Sequence, residues 1–169
     1  MNGKIAVVTA STAGIGLATV RKLLQSGATV HLSSRKQANV DSTVDKLRSE
    51  FGNDRVFGQV CHVSNSEHRD RLLKTVVETH GKLDYLVSNA AANPYFGPIT
   101  KTPEKAWETV MKTNLISSAM LINESIDFMS EGSSIVMVSS ISGVAPMPNI
   151  GAYGVSKAAL NALVENYRV

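Results

Sequence analysis

The sequence predicts an α/β fold in which a parallel sheet is covered by helices on both faces. Two observations lead to this prediction. Short β-branched segments alternate with amphipathic helical segments along the chain, and a turn of small residues lies between the first strand and the first helix. Sheets of this kind bind ligands at the carboxyl ends of their strands, so the site is expected there.

The elements follow one another in a regular order. A buried strand is predicted over residues 4–9, and the helix after it, with Leu17, Val20 and Leu24 on one face, ends at Gly27. Further strands are expected near residues 29–33, 56–61, 83–88 and 134–139, and helices near residues 37–51, 67–80 and 103–129. Residues 90–102 form the one long predicted loop, and it directly follows a strand end.

Length and composition limit the possible functions. With 169 residues and 43% hydrophobic content, residues 1–169 are predicted to form a single domain. The 17 basic and 14 acidic residues are scattered, which argues against a nucleic-acid or membrane surface. The single cysteine, Cys61, excludes an internal disulfide, and the four histidines lack metal-ligand spacing, so no metal site is expected. Without a membrane-spanning apolar run or a secretory leader, the protein is expected to be cytoplasmic.

The turn after the first strand predicts a pyrophosphate site. Its small residues let a ligand approach the backbone at a helix N-terminus, where free N–H groups and the helix dipole favour an anion. A tight turn that only packs the helix on the strand is the alternative, and the surrounding β-α-β pattern favours a dinucleotide. The predicted contacts are Ala10, Ser11, Thr12, Gly14, Ile15 and Gly16.

The end of the second strand predicts which dinucleotide binds. An NAD site would carry a carboxylate there for the ribose 2′-hydroxyl, whereas this chain has Ser34, Arg35 and Lys36. The Arg35 guanidinium can form bidentate hydrogen bonds with a 2′-phosphate, and the Ser34 hydroxyl can donate to the same group. These residues predict NADPH or NADP+ as the cofactor. Asn39 is included among the expected contacts, and a solvated basic turn is the alternative.

Tyr153 and Lys157 are four residues apart, so in a helix they lie on one face. The ammonium favours the charged form of the neighbouring phenol, which would suit Tyr153 to give a proton to a carbonyl oxygen. The spacing alone is a weak signal, and the other motifs of the chain strengthen it.

These motifs resemble those of the short-chain dehydrogenase/reductase superfamily from the first strand to the last residue. Gly14 and Gly16 match the family's glycine-rich turn, while Ala10 replaces its first glycine. The family's Asn-Ala-Gly after the fourth strand resembles Asn89-Ala90-Ala91 here, so these three residues are expected to contact the cofactor. The family's catalytic tetrad maps onto Asn114, Ser140, Tyr153 and Lys157.

The resemblance implies a role for each tetrad residue. Ser140 would hydrogen-bond the substrate carbonyl, Tyr153 would supply the proton, and Lys157 would also hold the nicotinamide ribose. Asn114 would complete a water-linked proton path to Lys157. Outside this context, Ser140 could equally be a turn cap and Asn114 a satisfied polar residue within a helix.

Several strings, among them residues 33–37 and 60–63, are similar to one subgroup of the family, the retinal and carbonyl reductases called dehydrogenase/reductase member 4. This similarity implies an NADPH-dependent oxidoreductase that acts on a small-molecule carbonyl, such as a ketone, an α-dicarbonyl or retinal. In most relatives an aspartate contacts adenine after the third strand, and here His62 takes that place, so His62 and the following Val63 are expected to contact the cofactor.

The family continues beyond the point that corresponds to Val169, so the chain is expected to lack C-terminal strands of the sheet. An exposed fifth strand would then favour self-association, and the family implies a homo-oligomer. A truncated, inactive cofactor-binding or interaction module that pairs with longer relatives is the alternative to an active reductase. The last three residues are not a peroxisomal address, which predicts a cytosolic location for this chain and leaves a peroxisomal one for a longer form.

Overall fold

A computed structural model describes residues 1–168 and contains a five-stranded sheet flanked by helices. The strands are β1 (Ile5–Val8), β2 (Thr29–Ser34), β3 (Val56–Val60), β4 (Tyr85–Ser88) and β5 (Ser134–Met137). The helices are α1 (Gly14–Gln25), α2 (Gln37–Phe51), α3 (Ser66–His80), α4 (Glu104–Met111), α5 (Ser117–Ser125) and α6 (Gly151–Tyr167). The alternation of strands and helices predicted from the sequence is confirmed.

The sheet has the order β3-β2-β1-β4-β5, and every neighbouring pair is parallel. The chain winds outward from β1 to β3, then crosses back and winds the other way through β4 and β5. The fold is therefore a Rossmann-type doubly wound sheet, with its topological switch point between β1 and β4. A crevice for ligands is expected outside the carboxyl ends of these two strands.

The two faces of the sheet bury separate apolar clusters. Along β1, Ala6 and Val8 pack in the cluster that contains α1 and α2, while Ile5 and Val7 pack in the cluster that contains α3 and α5. This alternation follows from the two-residue period of a strand, and all four side chains are buried because helices cover both faces.

Several element boundaries differ from the sequence prediction, and two of these differences have a clear physical reason. β4 begins at Tyr85 and not at residue 83, because the Leu83 N–H donates to the Phe128 carbonyl oxygen at 2.9 Å and the first bond to β1 is made by the Asp84 N–H, which donates to the Ile5 carbonyl oxygen at 2.9 Å. The helical segment predicted over residues 103–129 is divided into α4, a π-helical turn (Lys112–Ile116), α5 and a short 3₁₀ turn (Ile126–Phe128). A π-turn widens the helix locally, and this one contains Asn114.

Two further features concern the surface of the sheet and the helices. β5 forms one edge of the sheet within residues 1–168, and its Val136 is 51% exposed.

Among the helices of this described part, none is both long and apolar enough to cross a membrane.

A buried histidine pair makes the stability of the fold sensitive to pH. His31 on β2 is 2% exposed, stacks on Phe57 with ring centroids 4.7 Å apart, and places its Nε2 2.9 Å from Nε2 of His80. Burial, with a smaller contribution from His80, lowers the pKa of His31 to about 4. The folded protein therefore binds the proton less readily than the unfolded chain.

Acidification from pH 7.5 to pH 4 is expected to remove about 3 kcal/mol of stability through His31. Its contribution is fully present above the ordinary histidine pKa of about 6.5 and is lost as the pH falls towards about 4. Urea unfolding at several pH values measures this loss. In a His31→Phe variant, the free energy of unfolding should fall less steeply over the same interval, and an unchanged slope would contradict the assignment.

Candidate active site

The carboxyl ends of β1, β2, β3 and β4 surround a cleft of about 210 Å³. The cleft brings together predicted contacts from four separate stretches of sequence. These residues are Ala10, Thr12, Ser34, Arg35, His62, Val63, Ala90 and Ala91. The cleft therefore lies at the switch point of the sheet, where the fold predicts a ligand.

The turn between β1 and α1 contains two residues with positive φ and one position that has room only for glycine. Gly14 has φ +55° and Ala10 has φ +50°, both in the left-handed region that glycine adopts most easily. A side chain at Gly16 would place its Cβ 2.6 Å from Nδ2 of Asn89 and 2.7 Å from the Ala10 carbonyl oxygen. Only glycine fits at position 16, because helix α1 packs directly against the ends of β1 and β4.

Asn89 supports this turn from the neighbouring strand end. Its Nδ2 donates to the carbonyl oxygens of Thr9 and Ala10, each at 3.0 Å. The Thr9 hydroxyl in turn accepts from the backbone N–H of Asn89 at 3.0 Å and of Ala90 at 3.2 Å. The amide nitrogen of Asn89 thus stabilises the turn, and its predicted contact with the cofactor stays a prediction.

The helices that begin beside the cleft differ from α3 at their N-termini. α1 and α2 have no side-chain cap and no acidic residue in the first turn. α3, in contrast, is capped by the Asn65 side chain, which accepts from the His68 N–H at 3.2 Å, and carries Glu67 in its first turn. The free N–H groups and positive dipole ends of α1 and α2 are therefore available to anionic groups.

The remaining predicted contacts divide by exposure. Ile15, Lys36 and Asn39 are exposed at the starts of α1 and α2. Ser11 is fully buried, and its hydroxyl donates to the Val8 carbonyl oxygen at 2.6 Å and accepts from the Ser33 N–H at 3.1 Å. The Ser11 side chain therefore joins β1 to β2 and does not face the cleft.

Ser140 follows β5 and begins a short 3₁₀ turn, Ile141–Gly143. Its Oγ accepts from the Ser142 backbone N–H at 3.2 Å and from the Ser142 hydroxyl at 2.9 Å. With two hydrogen bonds accepted, Ser140 can direct its own hydroxyl hydrogen to another oxygen. The turn-cap role and a substrate-binding role are thus compatible.

Helix α6 carries Tyr153 and Lys157 one turn apart, as the spacing predicted. The Lys157 Nζ lies 5.7 Å from the centroid of the Tyr153 ring and donates to the Val138 carbonyl oxygen at 2.7 Å. Lys157 is 2% exposed, and burial lowers the pKa of its ammonium. The ammonium is therefore held beside both the phenol and the strand end that leads to Ser140.

Asn114 is fully buried in the π-helical turn and is satisfied by three hydrogen bonds. Its Oδ1 accepts from the Ala92 N–H at 2.7 Å, and its Nδ2 donates to the Ala92 carbonyl oxygen at 3.0 Å and to the Ser156 Oγ at 2.9 Å. Asn114 thereby joins the loop after β4 to helix α6 beside Tyr153 and Lys157.

Several residues of the site were not predicted from the sequence. Ser156 is fully buried and donates to the Tyr153 carbonyl oxygen at 2.7 Å, so it links Asn114 to the helix that carries Tyr153. The cleft is also lined by Ala13, Cys61, Ala92, Thr109 and Thr113. Of these residues, Thr109 and Thr113 are four apart, and this helical spacing was the pattern in the sequence that could have indicated that both face the cleft. Burial raises the pKa of the Cys61 thiol to about 11.

No group of three histidine, cysteine or acidic side chains in residues 1–168 is arranged to hold a metal ion. The polar groups of the site are hydroxyls, an ammonium, a guanidinium, the His62 imidazole, the Asn114 amide and backbone N–H groups.

Comparison with known proteins shows the family to which the chain belongs. Residues 4–169 match the family model for short chain dehydrogenases, so the chain belongs to the short-chain dehydrogenase/reductase family. Dehydrogenase/reductase SDR family member 4 from Bos taurus is 46% identical over 168 residues, which are 98% of this chain and 60% of the relative. The chain thus spans about 60% of the length of the curated relatives of this kind.

Two solved structures have the same fold. A short chain dehydrogenase/reductase from Burkholderia phymatum in complex with NAD has a TM-score of 0.91 at 27% identity, over 98% of this chain and 59% of its own. An NADPH-bound short chain oxidoreductase from Pseudomonas aeruginosa PAO1 has a TM-score of 0.92 at 27% identity, over 97% of this chain and 64% of its own. Relatives of this fold therefore bind either nicotinamide dinucleotide.

Proposed function

We propose that this protein is an NADPH-dependent oxidoreductase that reduces carbonyl groups with Ser140, Tyr153 and Lys157. The observation that carries the proposal is the placement of the buried Lys157 ammonium beside the Tyr153 ring, at the strand end that leads to Ser140. A phenol and a buried ammonium side by side are suited to general acid chemistry on an oxygen.

The residues of the cleft fit a dinucleotide. The uncapped N-termini of α1 and α2 can receive a pyrophosphate and a 2′-phosphate, and the exposed Arg35 adds a guanidinium next to the second position. When bound, the nicotinamide cofactor supplies the hydride for the carbonyl carbon. Lys157 would hold the nicotinamide ribose through its ammonium N–H groups.

The protein's own groups would act on the carbonyl oxygen. Ser140 donates its hydroxyl hydrogen to that oxygen and stabilises the negative charge that develops on it. Tyr153 then transfers its phenolic proton to the same oxygen, which yields an alcohol, and the adjacent Lys157 ammonium stabilises the phenolate left behind. Asn114, through its bonds to Ala92 and Ser156, positions this part of α6.

Apolar residues next to Ser140 support a carbonyl substrate with apolar groups, such as an aromatic ketone, an α-dicarbonyl or retinal. Ile141 is 66% exposed, Val144 is 72% exposed and Met147 is 47% exposed. These three side chains follow Ser140 closely in the chain and can cover apolar parts of a ligand.

Arg35→Ala is expected to weaken NADPH binding by about 1 to 3 kcal/mol and to leave NADH binding nearly unchanged, since in the proposed complex the guanidinium would contact only the 2′-phosphate. Fluorescence titration of both cofactors measures this. The matched control is Arg71→Ala, which removes an exposed arginine from α3. Equal affinities of the unmutated protein for NADPH and NADH would contradict the proposed cofactor.

A second copy of the chain is the expected protein partner, with α4, α5 and α6 at the interface. Ile116 is 52% exposed, Met120 is 38% exposed and Val155 is 46% exposed in this region. Burial of such apolar surface between two copies would stabilise an oligomer. Light scattering should give the mass of an oligomer, and Ile116→Glu should lower it. A monomeric unmutated protein would contradict this expectation.

A further inference from the structure

Arg69 on α3 contacts one wall of the cofactor cleft without lining the cleft itself. The wall consists of residues 61–63, which follow β3 and are called here the β3 wall. The Arg69 Nη1 donates to the Val63 carbonyl oxygen at 2.6 Å. Arg69 is 6% exposed and Val63 is 7% exposed, so water competes little for this bond.

Glu124 on α5 holds the guanidinium in place. The Arg69 Nε and Nη2 donate to the two carboxylate oxygens of Glu124 at 2.9 and 2.7 Å. A bidentate pair of this kind fixes the plane of the guanidinium as well as its position. The third donor nitrogen, Nη1, is thereby directed at the Val63 carbonyl oxygen. The Arg69 guanidinium and the Glu124 carboxylate together connect the β3 wall to α5.

Further contacts restrain the segment that contains the wall, among them the bonds of the Cys61 N–H to the Ser34 carbonyl oxygen at 2.9 Å and of the Asn65 N–H to the His62 carbonyl oxygen at 2.8 Å. The His62 N–H donates to the His68 Nδ1 at 3.1 Å, and the hydroxyls of Ser64 and Thr113 lie 3.2 Å apart. Thr113 lines the cleft and precedes Asn114. The segment is therefore attached both to α3 and to the π-helical turn, but only the Arg69 bond reaches a carbonyl of the wall through a charged donor.

We propose that Arg69, oriented by Glu124, is a positioning residue for cofactor affinity: it sets the place of the β3 wall against which the adenosine half of the ligand binds. The inference rests on the proposed function, because it requires a dinucleotide in the cleft. Preorganised walls reduce the ordering cost of binding, so loss of this bond should weaken every ligand that carries the adenosine group.

Binding of adenosine 5′-monophosphate and adenosine 2′,5′-bisphosphate tests the proposal without any need for turnover. Arg69→Met should weaken both ligands by a similar factor of about ten, the low end of the loss seen when a residue that orients a metal ligand is removed. Arg35→Ala should weaken only the bisphosphate. Titration calorimetry gives the affinities, and hydrogen exchange at the amides of residues 62–65 should increase in Arg69→Met.

The matched control is Arg55→Met. Arg55 makes a comparable clamp, since its Nη1 donates to the Leu24 carbonyl oxygen at 2.8 Å and its Nη2 to the Phe51 carbonyl oxygen at 2.9 Å. It precedes β3, whereas the wall follows that strand. Arg55→Met should therefore lower the melting temperature without changing either affinity.

A folded Arg69→Met variant that keeps its affinities overturns the proposal. If Arg69→Met does not fold, the Glu124→Gln variant tests the proposal in its place. This variant is expected to fold, because glutamine keeps the side-chain shape and one acceptor oxygen for Arg69. We expect it to weaken both ligands about threefold, on the scale of a charge-assisted bond made neutral. Unchanged affinities in folded Glu124→Gln would overturn the proposal. An unmutated protein that binds neither ligand would instead refute the proposed function.

Discussion

Replacement of Tyr153 by phenylalanine is expected to lower the turnover of NADPH-dependent carbonyl reduction by about 100-fold or more. The substitution keeps the ring and its packing on α6 and removes the proton donor. Cofactor affinity should change little, because the phenolic hydrogen is needed by the substrate oxygen and not by the phosphates. Steady-state rates with an aromatic ketone, together with a fluorescence titration of NADPH, measure both quantities.

Tyr167 supplies the control for this prediction. It lies on the same helix, and its hydroxyl donates to the Asn123 Oδ1 at 2.7 Å, away from the cleft. Tyr167→Phe should therefore leave turnover nearly unchanged. If Tyr153→Phe retains turnover, another residue donates the proton and the proposed chemistry is wrong.

Lys157→Met is expected to reduce both turnover and NADPH affinity, each by about tenfold or more, because two roles meet at one ammonium. The substitution would remove the charge that is proposed to stabilise the Tyr153 phenolate, and with it the proposed donors for the nicotinamide ribose. Methionine has a similar length and can occupy the buried space of Lys157, which is 2% exposed. The same two assays measure the effect, and a melting curve establishes that the variant is folded.

The control is Lys22→Met, which removes an exposed lysine from the last turn of α1. It should change neither turnover nor affinity. A Lys157→Met variant that loses turnover but binds NADPH normally would limit Lys157 to the proton-transfer step and contradict its role at the ribose.

The sequence by itself determined the fold class and the helix that carries Tyr153 and Lys157. Both depend on local periodicity: a strand repeats every two residues and a helix every 3.6, so apolar patterns and the four-residue spacing are visible along the chain. The small residues from Ala10 to Gly16 also indicated a ligand site, because a turn that admits a phosphate excludes bulky side chains. These signals require only neighbouring residues.

Tertiary structure alone decided which polar atoms face the cleft and which support it. Ser11 has the residue type of a cofactor contact, yet its side chain joins β1 to β2. The Asn89 amide nitrogen bonds to carbonyls 79 and 80 residues away, which no local pattern indicates. The bonds of Arg69 to Glu124, 55 residues away, and of Asn114 to Ser156, 42 residues away, likewise left no local pattern. Such pairings depend on how separate β-α units pack together, since a buried polar group takes whichever partner the packing brings within about 3 Å.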